Sequence, residues 1–422
     1  QRITRWAEAN LDRSNEYALP TEWYTLAENL YRAYGLTGDP RYRDFAQVWE
    51  YPDFWNALAA GANPFLPLAA ARQHRSYHAY SHVNSLSSAA MAYRVTGAQH
   101  YLDAIVGGYR FLKTTQLYAT GGYGPEESLV VPDGLPESLL VARRGESNVD
   151  IRFNFETSCG SWAGFKLARR LMEFTGEAHY GDWIERLIYN GVGALVPMND
   201  YGMIMYGSSY NLFGAQKSHS TVWFCCQGSL PQTVSEYSNL VYFHDDEGVY
   251  VNLFVPSQVV WQGGEHEVRL VQQTRFPESG VVAIRNESKA PSRFALRFRV
   301  PAWTRGNVGV QLNGDVVDVE TTPGSWATIT RQWSPDDLVT LSFDMAPHGE
   351  PLPGYVSPVA VLCGPVVMVQ TTAREEQGSI PVAKSLHIPA DYVEIYGDVR
   401  VNPARNLHTN QLCRPFYEVE AG

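Results

Sequence analysis

Nowhere in the 422 residues do eighteen apolar side chains follow one another, so no transmembrane helix is expected. Basic charge is scarce: 33 Lys and Arg stand against 44 Asp and Glu, a net charge of −11, with no basic run. That balance argues against nucleic acid and anionic membrane as partners. Cysteine is sparse too. Five residues, Cys159, Cys225, Cys226, Cys363 and Cys413, are too few and odd in number for a disulfide framework. The chain opens at Gln1, without an initiator Met or a leader, inside a helix-like pattern (Ile3, Trp6, Ala7, Leu11). It closes at Gly422 after the strand-like run Phe416–Val419. Both ends are expected to be cut, with part of the N-terminal unit missing, and the compartment is left open.

What the sequence does have is a repeat. Thr37-Gly38-Asp39-Pro40-Arg41-Tyr42 is echoed at Thr96-Gly97-Ala98-Gln99-His100-Tyr101 and at Thr175-Gly176-Glu177-Ala178-His179-Tyr180. Apolar residues at helical spacing precede each copy (Leu26, Leu30, Tyr34; Leu86, Ala90, Tyr93; Phe165, Ala168, Leu171, Met172) and follow it (Phe45, Ala46; Ile105, Tyr109; Trp183, Ile184, Leu187). A glycine permits the left-handed turn that stops one helix, and the tyrosine opens the next and packs back. Such hairpins, separated by long loops, predict a toroid of helices, an (α/α) barrel, rather than a solenoid. From about residue 240 the pattern changes to short alternating runs: Gly248–Val255, Glu267–Val271, Val281–Arg285, Phe294–Val300, Val308–Leu312, Trp326–Thr330 and Val339–Phe343. Turn signals at Asn313-Gly314 and Pro323-Gly324 divide them, which reads as an antiparallel β-sandwich. A smaller β unit is expected from Ala360 onward. The division is therefore 1–240, 241–348 and 349–422, and Cys363 and Cys413 are read as core residues of the β part.

Four segments carry side chains fit for chemistry. In Trp223-Phe224-Cys225-Cys226-Gln227-Gly228, two adjacent cysteines rarely bond to each other but can face a metal from a tight turn. In Phe155-Glu156-Thr157-Ser158-Cys159-Gly160, Glu156 and Cys159 would share one face of a helical first turn. Three thiolates and a carboxylate are a ligand set for zinc, whereas buried cysteines more commonly act as small hydrophobes. The loop Tyr118–Glu127 (YATGGYGPEE) ends in two carboxylates, Glu126 and Glu127, either of which could serve as a proton donor or simply face solvent. His78 and His82 stand one helical turn apart, a spacing for a metal, for a polyol, or for two satisfied histidines. Glu22 and Tyr24 are further candidates to line a cleft. Aromatic residues make up 13% of the chain; most fill cores, and a few suit stacking on sugars.

These elements, in this order, resemble the zinc-dependent β-L-arabinofuranosidases, glycoside hydrolase family 127 and its relatives. The resemblance spans nearly the whole chain: the Thr-Gly hairpins, His78-Ala79, the Thr120-Gly121-Gly122 loop, the Glu-Thr-x-Cys helix start, the Cys-Cys pair, the strand Val249–Val255, Leu296–Trp303 and Val359–Val367. Here Thr157 and Ser158 separate Glu156 from Cys159, where the best-known members have one residue, and Gln227-Gly228-Ser229 replaces prolines after the cysteines. The loop Ser128–Arg152 differs as well. The resemblance implies an (α/α)6 barrel followed by β-sandwiches. It implies that Glu156, Cys159, Cys225 and Cys226 hold zinc, that Cys225 is the nucleophile and Glu127 the general acid/base, and that His78 and Tyr206 contact sugar. The expected activity is release of a terminal pentose, such as β-L-arabinofuranose, from an oligosaccharide or glycoconjugate with retained configuration; oligomers are compatible with it. Two other readings stay open: a sugar-binding relative with structural zinc, and another α/α-barrel enzyme, a lyase or an epimerase.

Overall fold

The computed structural model describes residues 2–13, 22–65, 77–132, 134–140, 154–208, 217, 219–263, 266–305, 308–354, 358–370, 393–394, 404–406 and 412–418. Helices occupy the first part and sheets the rest. The three repeats form helical hairpins: Ala27–Thr37 with Pro40–Val48, Ala79–Thr96 with Gln99–Thr115, and Thr157–Thr175 with Tyr180–Arg186. All three are built alike. Gly38, Gly97 and Gly176 take φ of 68°, 69° and 72°, and each amide donates to the carbonyl four residues back. The preceding threonine hydroxyl donates to the carbonyl four residues before it (2.7, 2.7 and 2.8 Å) and accepts from the amide two residues on. Orphan helix-end groups are thus satisfied in each copy by the same two residues. Tyr42, Tyr101 and Tyr180 are buried in the hairpins, as the pattern predicted. The hairpins share one core that includes Tyr31, Phe54, Trp55, Leu86, Ile105, Phe165 and Trp183.

Beyond Val241 the expected strands are present with shifted ends. A six-stranded sheet is ordered Asp315–Val316, Gly309–Leu312, Leu338–Ser342, Val281–Asn286, His266–Thr274, Ser257–Gly263. A four-stranded sheet is ordered Trp326–Trp333, Ser292–Arg299, Gly248–Val251, Tyr242–His244. Their alternating apolar residues (Val268, Leu270, Val282, Ile284, Phe294, Leu296, Phe298, Leu341) form a second core. One pairing departs from the antiparallel expectation: Gly248–Val251 runs parallel to Ser292–Arg299. That strand also stops at Val251 rather than Val255, because Asn252 and Leu253 donate their amides back to the Val241 carbonyl. A third sheet of six short strands covers Pro347 to Pro415. Phe416–Glu418, expected as strand, is a 3-10 turn, and Val419 lies outside the described residues. Cys363 is buried as expected; the side chain of Cys413 lies outside the description. Among the described residues no helix is long and apolar enough to cross a membrane.

The segment Tyr180–Gly191 joins the helical part to both β parts. Arg299, fully buried on its strand, donates to Asp182 (2.5 Å), Glu185 (2.6 Å) and the Asn252 carbonyl (2.8 Å). Trp303 adds a bond to Glu185 at 2.9 Å. Gly181 is required beside this group: a Cβ there would stand 2.1 Å from Asn252 Oδ1 and 2.7 Å from Arg299 Cδ. Toward the third sheet, Arg186 grips the Glu350 carboxylate with both terminal nitrogens. Asn190 donates to the Pro365 carbonyl (2.9 Å) and accepts from the Val367 amide (2.8 Å).

Removing one member of a buried ion group strands the others without a counter-charge. Arg299→Met should therefore lower stability by about 3–5 kcal/mol, read as a fall in the urea midpoint of tryptophan fluorescence; an unchanged midpoint would remove Arg299 from this role. Glu350 makes a second prediction. Burial raises its pKa, but the Arg186 guanidinium overcomes this and holds it at about 2, below its ordinary 4.5. Its stabilising contribution is complete above about pH 4.5 and is lost as pH falls toward 2. Glu350→Gln should flatten that acid limb, and a mutant with the wild-type slope of stability between pH 4.5 and 2 would contradict it.

Candidate active site and metal centre

Two helices begin at the same point. Thr157–Thr175 follows a two-residue strand, Phe155–Glu156, and Cys225–Ser235 opens directly on the paired cysteines. The pair therefore sits in a helical first turn and not in a tight turn. Glu156 is not in the helix either; it caps it from an extended backbone (φ −74°, ψ 94°), so it reaches Cys159 across the helix start. Thr233 Oγ1, one helix, donates to the Ser158 carbonyl of the other at 3.0 Å and fixes their approach. Ser229 Oγ lies 3.1 Å from Cys159 Sγ. The short strand pairs with Gly207–Ser208, and the Thr157 amide donates to the Tyr206 carbonyl at 3.1 Å. Tyr206 is thereby set beside Glu156.

Glu156, Cys159, Cys225 and Cys226 each offer a ligand atom, and the four atoms lie within 4.8 Å of one another. Glu156 Oε1 is 3.1 Å from Cys225 Sγ and 3.8 Å from Cys226 Sγ. Three sulfurs and an oxygen grouped this closely are a donor set that zinc accepts. Glu156, Cys159 and Cys226 are buried, while Cys225 is exposed. Burial raises the Glu156 pKa to about 7, so its carboxylate is poorly solvated here. Hydrogen bonds from Cys159 and Cys226 hold the Cys225 thiol well below its ordinary range, while those two thiols are pushed up. The thiol held low is the exposed one. Cys225 is the first residue of its helix, where the positive end of the helix dipole favours an anion.

His78 caps the Ala79–Thr96 helix. Its Nε2 lies 3.1 Å from Glu156 Oε2 and 3.7 Å from Glu127 Oε2, and its Nδ1 lies 2.6 Å from Glu22 Oε1. Burial would lower the His78 pKa, but hydrogen bonds with Glu156 and Glu22 push it up to about 10. His82 does not join it. It turns into the core beside Tyr24 and Tyr51, donates from Nδ1 to the His78 carbonyl (2.8 Å), and is driven down to about 3 by burial. Tyr24 is buried with it and bonds Ser81 at 2.8 Å, so it backs the site rather than lining it.

The glycine-rich loop delivers the two acids in an unusual way. Glu126 and Glu127 both have positive φ, 53° and 60°. Non-glycine residues pay strain for that conformation, and consecutive ones require the surroundings to impose it. His78 bridges to Ser128, the Leu129 amide donates to the Tyr77 carbonyl, and Gly124 approaches so closely that a Cβ would lie 2.2 Å from that of Ala79. Glu126 is exposed. Glu127 accepts a hydrogen bond from the Tyr206 hydroxyl, which itself lies 3.9 Å from Cys225 Sγ. The structure thus brings together Glu127, His78, Tyr206, Glu156, Cys159, Cys225 and Cys226. Gln227, whose Oε1 accepts from the Phe224 amide at 2.9 Å, and Ser229 were noted in the sequence only as a departure from the family and given no role; their places two and four residues after Cys225 were the available signal. Residues 133 and 141–152 of the divergent loop lie outside the described residues.

Comparison with known proteins points the same way. Residues 1–239 match the family model described as the β-L-arabinofuranosidase, GH127 catalytic domain, and residues 248–345 match the GH127 middle domain. A non-reducing end β-L-arabinofuranosidase of Bifidobacterium longum is 22% identical over 247 residues, 52% of this chain and 34% of that protein. Among solved structures, a GH127 β-arabinofuranosidase aligns with a TM-score of 0.65 and 24% identity, covering 81% of this chain and 55% of the other. A GH127 β-L-arabinofuranosidase of Geobacillus stearothermophilus T6 aligns with a TM-score of 0.64 and 22% identity, covering 81% and 58%. The chain spans less than two thirds of the length of each of these relatives. With its catalytic-domain match extending over more than half its length, the chain belongs to the GH127 β-L-arabinofuranosidase family.

Proposed function

We propose that the chain is the catalytic part of a retaining glycoside hydrolase that releases a terminal β-L-arabinofuranose or a related pentose, with Cys225 as nucleophile. The observation that carries this reading is the asymmetry of the cluster. Three of its four members are sealed, and the fourth, Cys225, is exposed beside a carboxylate that Tyr206 and His78 hold in place. A purely structural centre has no use for either feature. Glu156, Cys159, Cys225 and Cys226 would hold zinc, which when bound keeps its thiol ligands deprotonated at neutral pH.

In the first step the Cys225 thiolate attacks the anomeric carbon and forms a C–S bond. The bond from that carbon to the leaving oxygen breaks, and Glu127 gives the oxygen its proton. In the second step the Glu127 carboxylate takes a proton from water, the water oxygen bonds to the same carbon, and the C–S bond returns its electrons to Cys225. Two inversions give net retention, with sulfur in the place of the usual carboxylate. Tyr206 orients Glu127, and His78 and Tyr206 would bond the sugar hydroxyls, since misplacement costs rate steeply. In this reading the helical part is an (α/α)6 barrel, residues 241–348 and 349–422 are two β units, and the substrate is an oligosaccharide or glycoconjugate.

The test is metal analysis with hydrolysis of p-nitrophenyl β-L-arabinofuranoside and a panel of other furanosides and pyranosides. About one zinc per chain is expected. Cys225→Ser should abolish turnover, and Glu127→Gln should lower kcat by about 10²–10⁴-fold. An active Cys225→Ser enzyme would sink the nucleophile assignment, and zinc-free protein from a reduced, chelator-free preparation would sink the metal centre. Cys159→Ser should lose zinc as well as activity, which separates a ligand from a bystander thiol.

A further inference from the structure

Just ahead of Cys225 the chain exposes large apolar side chains where the core has no need of them. Val222, Trp223 and Phe224 are 52%, 64% and 44% exposed. Single exposed apolar residues are ordinary, but three in succession at the mouth of a site are not. They are held in place. The Phe224 amide is tied to Gln227 Oε1, and the Phe224 ring lies 4.8 Å from that of Tyr206. Trp223 lies against a tight turn: its ring is 3.7 Å, and Met198 Sδ 4.0 Å, from where a Cβ of Gly202 would be. Asn199 Oδ1 accepts from the Tyr201 and Met203 amides at 3.0 Å each, which fixes that turn under the ring. A stiff turn thus supports a tryptophan whose face is left to solvent.

The neighbours of this surface suggest what it meets. Tyr206 packs on Phe224 and donates to Glu127, which connects these rings to the group that would protonate the leaving oxygen. Building on the hydrolase reading, we infer that Trp223, exposed beside Phe224 and held against the Asn199–Met203 turn, is the platform for the sugar on the leaving-group side of the scissile bond. The C–H face of a pyranose or furanose ring stacks on an indole, and the stack is sequence-tolerant toward the hydroxyls at the ring edge, so Trp223 selects for a saccharide leaving group over a small alcohol. The occupant is the remainder of the substrate, because Phe224, next in the chain to Trp223, packs on Tyr206, and Tyr206 bonds Glu127.

The experiment compares kcat/KM for a β-L-arabinofuranosyl disaccharide with that for methyl β-L-arabinofuranoside, in the wild type, Trp223→Ala and Trp223→Phe. Both substrates fill the site of bond cleavage alike, and only the disaccharide reaches the platform. The ratio of the two should fall at least about 10-fold in Trp223→Ala and recover in Trp223→Phe. Zinc content is measured in each variant, so that damage to the neighbouring cysteines is seen directly. A ratio unchanged in Trp223→Ala overturns the inference while leaving the hydrolase reading intact. So does a wild-type dimer that dissociates in Trp223→Ala with the ratio preserved, which would make the rings a subunit contact. A wild type that cleaves neither substrate overturns the hydrolase reading, and the platform with it.

Discussion

A carboxylate sealed from water among three sulfur atoms is the constraint around which the helical part is arranged. Glu156 touches Cys225, Cys226 and His78 at once. Without compensation such a group costs several kcal/mol and resolves itself by staying protonated. The fold supplies compensation from three directions: the ends of two helices, the His78 imidazole, and a ligand set of which a divalent cation can bind every member. Each of these depends on where a helix starts. The Glu156–Cys159 and Cys225–Cys226 segments both lie at helix starts, where the helix dipoles favour negative charge.

Holding two helix starts together within a hydrogen bond's tolerance calls for a stiff frame, and the frame extends beyond the helices. The hairpin that carries Glu156 and Cys159 ends in Tyr180–Arg186, and that short helix is bonded through Asp182 and Glu185 to Arg299 and through Arg186 to Glu350. Both β parts therefore brace the same hairpin. Trp326 adds a bond to the Gly176 carbonyl at the hairpin turn. Among the described residues the sheets beyond Val241 contribute no side chain to the cluster, but they fix the element that does.

The hairpins were legible in the sequence because their signal is local. A Thr-Gly pair at a helix end leaves the same mark three times, and the structure repeats the same hydrogen bonds three times. The clustering of cysteines was legible for a similar reason, since residue type alone restricts what three thiols and an acid can do. The state of each segment was less so. Cys225-Cys226 looked like a turn and is a helix start; Glu156 looked helical and is extended. His78 and His82 have metal-like spacing, yet one faces the cluster and the other the core, a choice made by Tyr24, Tyr51 and Phe54 from distant parts of the chain. The parallel pairing of Gly248–Val251 likewise rests on a partner more than forty residues away, which no local pattern encodes.

The glycine-rich loop shows how a local reading can draw attention to two acids for an incomplete reason. Its glycines invite the idea of freedom, a loop that lets an acid find its place. Gly124 does the opposite: it lets the backbone press against Ala79, a contact that any side chain would forbid. Once pressed there, the loop is bridged from Ser128 to His78 and from Leu129 to Tyr77, and these bonds force Glu126 and Glu127 into a left-handed conformation that neither would choose. The strain is small beside the contacts that impose it, and it has a consequence. Reversing direction twice in two residues sends Glu126 outward and Glu127 onto Tyr206, so the choice between two adjacent acids is made by the backbone and not by the chemistry of either side chain. The same contacts tie that choice to His78, which bridges to Ser128 and faces Glu127 at 3.7 Å.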